Sequence, residues 1–574
     1  MAKRDLKDWP LFQSCSKVMK HPLSFVLAAL TLMAAPDPAS RALAQAASVD
    51  LRILAINDFH GYLRPPAGGI RIADPDDKAK RITVPAGGAE HMATLVRELR
   101  QGQKNTIFVA AGDLIGASPF LSAMFHDEPT IESMSMMGLE IAAVGNHEFD
   151  EGKDELKRMQ NGGCHPVDQC QGPHPFEGAK FHYLAASTIE QNTGKTIFPS
   201  YEIREFDGIP VAFIGLTLKG TPNIISPSSA AGLEFRDEAD TVNALIPELK
   251  ARGVEAIVIL IHEGGFPAGD SNECPGISGA IVDIVGKFDR AVDIVVSGHT
   301  HQAYVCEIDG RLVTSGDKFG TLVTAIDVKL DPNSRDVISA KADNVIVRSG
   351  TLPKDTEQTA LIDAYDKSAA PIANRRAGSV TETLSRTPNN AGESALGDII
   401  ADAQLAATRS ENDGNAVAAF TNPGGVRADI IKKEDGAVTY ADLFASQPFR
   451  NQLVTLSLTG AQIRDMLEQQ WLDPKRPRIL QVSNGFSYNW DGLKPYGEHV
   501  LADSMSLNGV RIDPAGSYRV TVNNYLSLGG DGFTVLKEGS NQQFDVFDVD
   551  ALYAYFQAHS PIAPTAADRI VRSN

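Results

Sequence analysis

Short β-branched runs recur through the first 330 residues: Leu51–Ile56, Thr106–Ala110, Ile141–Val144, Val211–Leu216, Ala256–Ile261 and Val292–Val296. Helix-like stretches separate several of them, as at Gly88–Arg100 and Glu238–Arg252. This alternation predicts an α/β fold whose strands are buried on both faces. It also says where chemistry can sit, because ligands of α/β folds collect beyond the carboxyl ends of the strands. Five clusters of potential donor side chains each lie just past one of these runs. Those clusters are Asn57-Asp58-Phe59-His60-Gly61, Gly112-Asp113, Gly145-Asn146-His147-Glu148, His262, and Gly298-His299-Thr300-His301.

Taken singly these pieces say little. A Gly-Asp pair is usually a turn, and a lone histidine after an apolar strand is usually a hydrogen-bonded core residue. Taken together, Asp58, His60, Asp113, Asn146, His262, His299 and His301 offer seven donors, and one carboxylate bridging two ions raises the count to eight. Mixed imidazole and oxygen donors suit borderline divalent ions such as zinc or manganese. His147 and Asp150 are three residues apart and face one way if a helix begins there. Asp150 would then set the imidazole tautomer, and a cationic His147 would stabilise charge developing on a phosphoryl group. Glu148 is read as a structural neighbour.

The set Asn-Asp-x-His, Gly-Asp, Gly-Asn-His-Glu, His and Gly-His-x-His resembles the signature of calcineurin-like metallophosphoesterases. With its C-terminal half the chain looks like the secreted 5′-nucleotidase family, which includes UDP-sugar hydrolases. The resemblance implies a four-layer α/β/β/α catalytic sandwich over 48–345, a linker helix over 356–377, and a smaller mixed α/β domain over 378–574 that sets substrate specificity. It implies that Asp58, His60, Asp113 and His301 hold one ion, and Asp113, Asn146, His262 and His299 the other. The implied catalytic pair is His147 with Asp150. The implied reaction releases phosphate from nucleoside 5′-phosphates by attack of a metal-activated water. In relatives the C-terminal domain rotates, which would make the helix a hinge.

In the C-terminal half, Asn422-Pro423-Gly424-Gly425-Val426-Arg427 follows a short strand, and its guanidinium suits a phosphate. Phe449 and Tyr525 are rings that could sandwich a nucleobase. The resemblance makes Asn422, Arg427, Phe449, Tyr525 and Asp531 substrate contacts. One departure matters: relatives carry an arginine shortly before the helix starting near Ser394, and here the stretch is Asn389-Asn390-Ala391-Gly392-Glu393-Ser394. Nucleotide sugars, cyclic phosphodiesters and the substrates of sulfur-oxidation hydrolases therefore stay in play. A non-catalytic surface binding protein would have lost ligands, and none is lost.

Residues 1–44 read as a signal peptide: a basic start, an apolar run Leu23–Ala35, and a small-residue tract ending Ala42-Leu43-Ala44. The apolar run is shorter than the roughly 20 residues of a spanning helix. A periplasmic or secreted protein without a stable membrane anchor is expected, with no obligate protein partner evident. The formal net charge of −19 argues against nucleic-acid polymers as partners. Four cysteines follow the leader: Cys164, Cys170, Cys274 and Cys306. In an oxidising compartment they suggest disulfides, with Cys164–Cys170 and Cys274–Cys306 one of three pairings. The rival is a zinc site using His165 and His174. Residues 332–355 read as irregular.

Overall fold

A computed structural model describes residues 47–77 and 80–574. The signal peptide expected over 1–44 lies outside the described residues. Twelve strands of the N-terminal half form two six-stranded sheets. In chain order they are β1 (Val49–Ile56), β2 (Thr106–Ala110), β3 (Ile141–Ala143), β4 (His182–Leu184), β5 (Tyr201–Phe206), β6 (Ile209–Thr217), β7 (Ala256–His262), β8 (Ile294–Ser297), β9 (Ala303–Ile308), β10 (Arg311–Gly316), β11 (Leu322–Leu330) and β12 (Val337–Ile346). One sheet runs β12-β11-β1-β2-β3-β4 and the other β9-β10-β8-β7-β6-β5.

Strand periodicity assigns the apolar side chains to layers. Along β1, Ile53 and Ala55 join one buried cluster, shared with Val211, Val258 and Val296 of the other sheet. Leu54 and Ile56 join another, with Met92, Val96 and Ile131 of the helices Ala89–Arg100 and Glu128–Met136. In the second sheet, Ile257, Ile259 and Ile261 of β7 pack with Val242 and Ile246 of the helix Glu238–Ala251. Strands buried on both faces read as the near-continuous apolar runs seen in the sequence.

The parallel neighbours β1, β2 and β3 sit side by side in one sheet, and β7 and β8 side by side in the other. Their carboxyl ends carry every donor cluster named above. The expectation of irregular structure over 332–355 is corrected, because β12 is a ten-residue strand pairing antiparallel with β11. It is an edge strand: Val337, Ala340 and Ala342 lean on one cluster and Val345 and Ile346 on two others, with Ser339, Lys341, Asp343 and Asn344 between them. That composition hides it from a search for apolar runs.

A helix over Thr356–Ala373 follows, capped by Asp355, whose side chain accepts from the backbone of Glu357 and Gln358. Its last turn contains Pro371, which has no N–H to give. The helix therefore stops short of the expected 377, and Arg376–Ser379 is instead a strand paired with Ala437–Thr439. The helix packs into the N-terminal half through Gln358, which exchanges hydrogen bonds with Ser133 at 2.7 and 3.0 Å. Its Tyr365 shares a cluster with Phe125 on one side and with Ile399 and Leu552 on the other.

The C-terminal α/β domain has a five-stranded sheet made of β13 (Ala418–Thr421), β14 (Gln452–Thr459), β15 (Gln481–Val482), β16 (Ser517–Asn523) and β17 (Ser540–Phe547), in the order β15-β13-β16-β14-β17. Asn422 follows β13 directly, and Tyr525 follows β16 by two residues. Cys164 is bonded to Cys170, and Cys274 to Cys306. The cysteines are thus disulfides rather than zinc ligands, and His174 lies apart from His165, beside Glu132. Among the described residues no helix is long and apolar enough to cross a membrane.

Candidate metal centre

The strand ends bring the predicted donors together. Donor atoms of Asp58, His60 and His301 form one compact group, and those of Asp113, His262 and His299 another. A third group joins His60 and Asp113 to His147. Asp113 links the two sets through one oxygen: its Oδ2 is 3.6 Å from His60 Nε2 and 2.9 Å from His262 Nε2. Its other oxygen accepts the backbone N–H of His147 at 2.9 Å. Asp58 Oδ1 is 3.4 Å from His301 Nε2, and His60 Nε2 is 3.1 Å from His301 Nε2.

The backbone fixes which nitrogen of each ring faces inward. His60 donates from Nδ1 to the Gly116 carbonyl at 2.9 Å, and His262 from Nδ1 to the Ala111 carbonyl at 2.8 Å. Both rings are fully buried, and each turns its Nε2 toward the centre. His262 Nε2 has no hydrogen-bond geometry despite its closeness to Asp113, and the buried Asn146 Oδ1 has no partner either. They are two of the buried side-chain atoms left without partners among the described residues. Here both belong to the expected ligand set, and the residues present fit two divalent ions.

Electrostatics agree. Burial would raise the Asp113 carboxyl, but the imidazoles of His262, His147 and His60 hold it well below the ordinary range. Burial keeps His60, His299 and His301 below the usual imidazole range, which leaves them neutral. His262 goes the other way. Burial lowers it, but Asp113 outweighs burial and pushes it up to about 10.

Five of the seven donor residues hold positive φ: Asp58 (49°), His60 (47°), Asp113 (51°), His299 (69°) and His301 (54°). Such conformations are uncommon outside glycine and cluster at functional sites. Space is as tight as the backbone. A Cβ on Gly112 would meet His262 Nδ1 at 2.7 Å, and one on Gly145 would meet Asp113 Oδ1 at 2.2 Å. The glycines beside the donors therefore permit close approach as well as turning. Glu148 is a brace, as expected: it accepts the backbone N–H groups of Asp113, Leu114 and Gly145 at 2.9, 2.7 and 2.6 Å.

His147 opens a single 3-10 turn, His147–Phe149, and its Nδ1 lies 2.8 Å from Asp150 Oδ2. Burial lowers the imidazole, but the carboxylates of Asp150 and Asp113 together raise it above its ordinary value. The same cavity, about 360 Å³, is lined by Asn146, His147, Asp150 and His299 from the N-terminal half and by Asn422, Arg427, Phe449, Tyr525 and Asp531 from the C-terminal half. Phe449 stacks on His147 with ring centroids 5.8 Å apart, and the Arg427 guanidinium lies 5.7 Å from the centre of the same ring. Asn422 donates to Asp531 Oδ2 at 2.9 Å, and Tyr525 donates its hydroxyl to Asp531 Oδ1 at 3.0 Å.

The sequence reading missed three cationic side chains here. Arg478 lines the cavity and donates to the Asp531 carbonyl at 3.0 Å. Arg386 donates to the carbonyl of Val426, next to Arg427, at 3.1 Å. Lys318 lies 5.5 Å from the centre of the Phe319 ring, which meets His301 edge-on at 5.6 Å. Arg386 stands just before the stretch lacking the family's arginine, and that position was the available signal.

Comparisons with known proteins agree with this geometry. Residues 51–303 match the calcineurin-like phosphoesterase family, and residues 372–538 match the 5′-nucleotidase C-terminal domain. The chain is 32% identical over 525 residues to endonuclease YhcR of Bacillus subtilis, covering 91% of this chain and 41% of that protein. It thus spans less than half the length of that relative. It is 30% identical over 549 residues to the cell wall protein Lmo0130 of Listeria monocytogenes, covering 90% of this chain and 68% of the relative. The crystal structure of a 5′-nucleotidase precursor from Thermus thermophilus superimposes with a TM-score of 0.74 at 25% identity, covering 92% of this chain and 99% of that one. The chain belongs to the calcineurin-like metallophosphoesterases that carry a 5′-nucleotidase C-terminal domain.

Proposed function

We propose that the chain is an exported dimetal phosphohydrolase that releases phosphate from nucleoside 5′-phosphates. The observation that carries this reading is Asp113 Oδ2, which faces His60 and His262 from one atom, beside a cavity that Asn146, His147 and His299 share with Arg427, Phe449, Tyr525 and Asp531. Asp58, His60, Asp113 and His301 would hold one ion and Asp113, Asn146, His262 and His299 the other. Zinc or manganese would suit this donor set. When bound, the ions supply water activation and neutralise phosphoryl charge.

The chain's own residues do the rest. His147, oriented by Asp150, directs its free nitrogen into the cavity and donates a proton to the phosphoryl or leaving-group oxygen. Arg427 pairs with phosphate oxygens, and Arg386, which donates to the adjoining Val426 carbonyl, adds positive charge beside it. Phe449 and Tyr525 hold the base by its faces, and Asn422 and Asp531 take hydrogen bonds from the nucleoside. We divide the chain into a catalytic domain over 48–345 with a four-layer α/β/β/α arrangement, a linker helix, and a specificity domain from 378 onward. The three apolar layers support that division. Two disulfides support the extracellular or periplasmic placement.

The absence of an arginine over Asn389–Ser394 favours a second reading, in which UDP-sugars or 2′,3′-cyclic phosphodiesters are preferred. YhcR is named an endonuclease, so a polymer belongs in the test, although a net charge of −19 opposes it. Metal-replete protein is assayed against AMP, ADP, a UDP-sugar, a 2′,3′-cyclic nucleotide and single-stranded DNA. AMP hydrolysis abolished by EDTA and restored by zinc or manganese is expected. No phosphate release from any nucleotide would sink the proposal, and a preference for another member of the panel would select the second reading.

A further inference from the structure

A second group of histidines and carboxylates lies at the outer end of the cavity and takes no part in the chemistry above. One donor atom each of His126, Glu151, Glu155 and His165 lies within 4.8 Å of every other. They come from three segments: the turn before the helix Glu128–Met136, the stretch from Glu151 into the helix Lys153–Asn161, and the loop closed by Cys164 and Cys170. His126 Nδ1 is 2.7 Å from Glu151 Oε2, and its Nε2 is 3.0 Å from Asp168 Oδ2. The His165 ring lies flat on the His126 ring, with centroids 3.8 Å apart and 10° between planes. His165 Nε2 is 4.0 Å from the same Glu151 oxygen.

We propose that His126, Glu151, Glu155 and His165 form a third divalent-cation site, of the zinc class, that pins the disulfide loop to the segment carrying Asp150. Three observations carry it. The donors are two imidazoles and two carboxylates, the mixture that selects borderline ions in tetrahedral sites. The flanking groups already sit where supporting partners of a metal site belong. Asp168 reaches His126 Nε2, and Arg158 grips Glu155 at 2.7 Å and Glu128 at 2.7 Å; the Asp168 backbone N–H donates to His165 Nδ1 at 3.0 Å, a bond that this ring exchanges when its Nε2 takes an ion. The loop is also preorganised, since Gln169 N–H bonds to the His165 carbonyl at 3.0 Å inside the disulfide ring.

Charge points the same way. Glu128, Glu151, Glu155 and Asp168 are balanced by Arg158 and by at most one imidazolium, because two stacked cationic rings repel. Ligation needs both imidazoles neutral, which leaves about three negative charges, and one divalent ion removes two of them. Binding needs the two ring edges to tilt toward each other, a motion about the soft χ2 torsion of histidine. His126 and His165 keep side-chain exposures of 11% and 15%, and Glu151 is 47% exposed, so the site opens to solvent on one side.

The site is separable from the dimetal centre by counting ions. The mature, disulfide-intact protein is stripped with EDTA, titrated with Zn²⁺, desalted and analysed for zinc. Wild type is expected to retain three ions per chain, and the His126→Ala/His165→Ala variant two. Glu151→Gln, at a half-exposed position where folding is not at stake, is expected to weaken the third ion at least tenfold. In an Asp113→Ala background, Zn²⁺ should still raise the melting temperature, and adding His126→Ala/His165→Ala should remove that rise. Identical zinc counts in wild type, the double variant and Glu151→Gln overturn the proposal and leave His126 as an imidazolium paired with Glu151 and Asp168. Neither result depends on whether any nucleotide is hydrolysed.

Discussion

The two walls of the cavity are built by different means. Behind the N-terminal wall Asp58, His60, Asp113 and His262 are at most 1% exposed, and backbone carbonyls hold the two rings by Nδ1. On the C-terminal wall the candidate substrate residues sit on loops and short helical turns, and Asn422, Tyr525 and Asp531 are joined by side chains. Asn523 donates to Asn422 at 3.1 Å, Asn422 to Asp531, and Tyr525 to Asp531. A backbone-fixed wall cannot rearrange without unfolding. A side-chain network can exchange partners when substrate arrives. Chemistry and specificity are therefore separable, and substitutions should fall into kcat and KM classes according to the wall they touch.

The largest effect tests the rigid wall. Asp113→Ala removes the atom shared by both donor sets, and the activity should fall by at least about 10³-fold with loss of bound metal. Steady-state kinetics and metal analysis check this, and retention of both ions would break the bridging assignment. Next comes His147→Asn, expected to lower kcat by about 10²–10³-fold with little change in KM. Asp150→Asn should cost less, because it leaves the imidazole in place with a weaker partner. A loss confined to KM in either variant would move His147 to the binding wall.

These expectations start from residues that the sequence displayed openly. The grouping of Asp58, His60 and His301, and of Asp113, His262 and His299, was legible because each follows an apolar run closely, so strand ends and donors appear together in the sequence. What stayed hidden has physical causes. The positive φ of Asp58 or His301 leaves no trace in residue type. The strand Val337–Ile346 reads as polar because it lies at a sheet edge. The pairing of His126 with His165 spans 39 residues and three segments, and the sequence reading matched His165 with His174 instead. The network Asn422–Asp531–Tyr525 joins positions more than 100 residues apart, which local patterning cannot report.

The binding wall is tested by Phe449→Ala. Loss of a stacking ring costs roughly 1–3 kcal/mol per base, so KM for AMP should rise by about 5–100-fold. Glycerol phosphate, which has no ring to stack, should show little change. An equal loss with both substrates would mean that the ring serves His147, on which it stacks at 5.8 Å, rather than the base. The walls would then be coupled.

The smallest effect is the most discriminating. The Tyr525 hydroxyl donates to Asp531 Oδ1 and accepts the Asp531 backbone N–H at 2.9 Å. Substrate that hydrogen-bonds Asp531 must compete with that hydroxyl. A net hydrogen bond is worth about 0.5–1.5 kcal/mol. Tyr525→Phe keeps the ring for stacking and frees the carboxylate, so KM for AMP should fall by about 2–10-fold at constant kcat. A rise in KM would show that the hydroxyl holds Asp531 in its working position. The loop after β16 would then be preorganised like the metal wall, and the contrast between a fixed chemical wall and an exchangeable binding wall would fail at this residue.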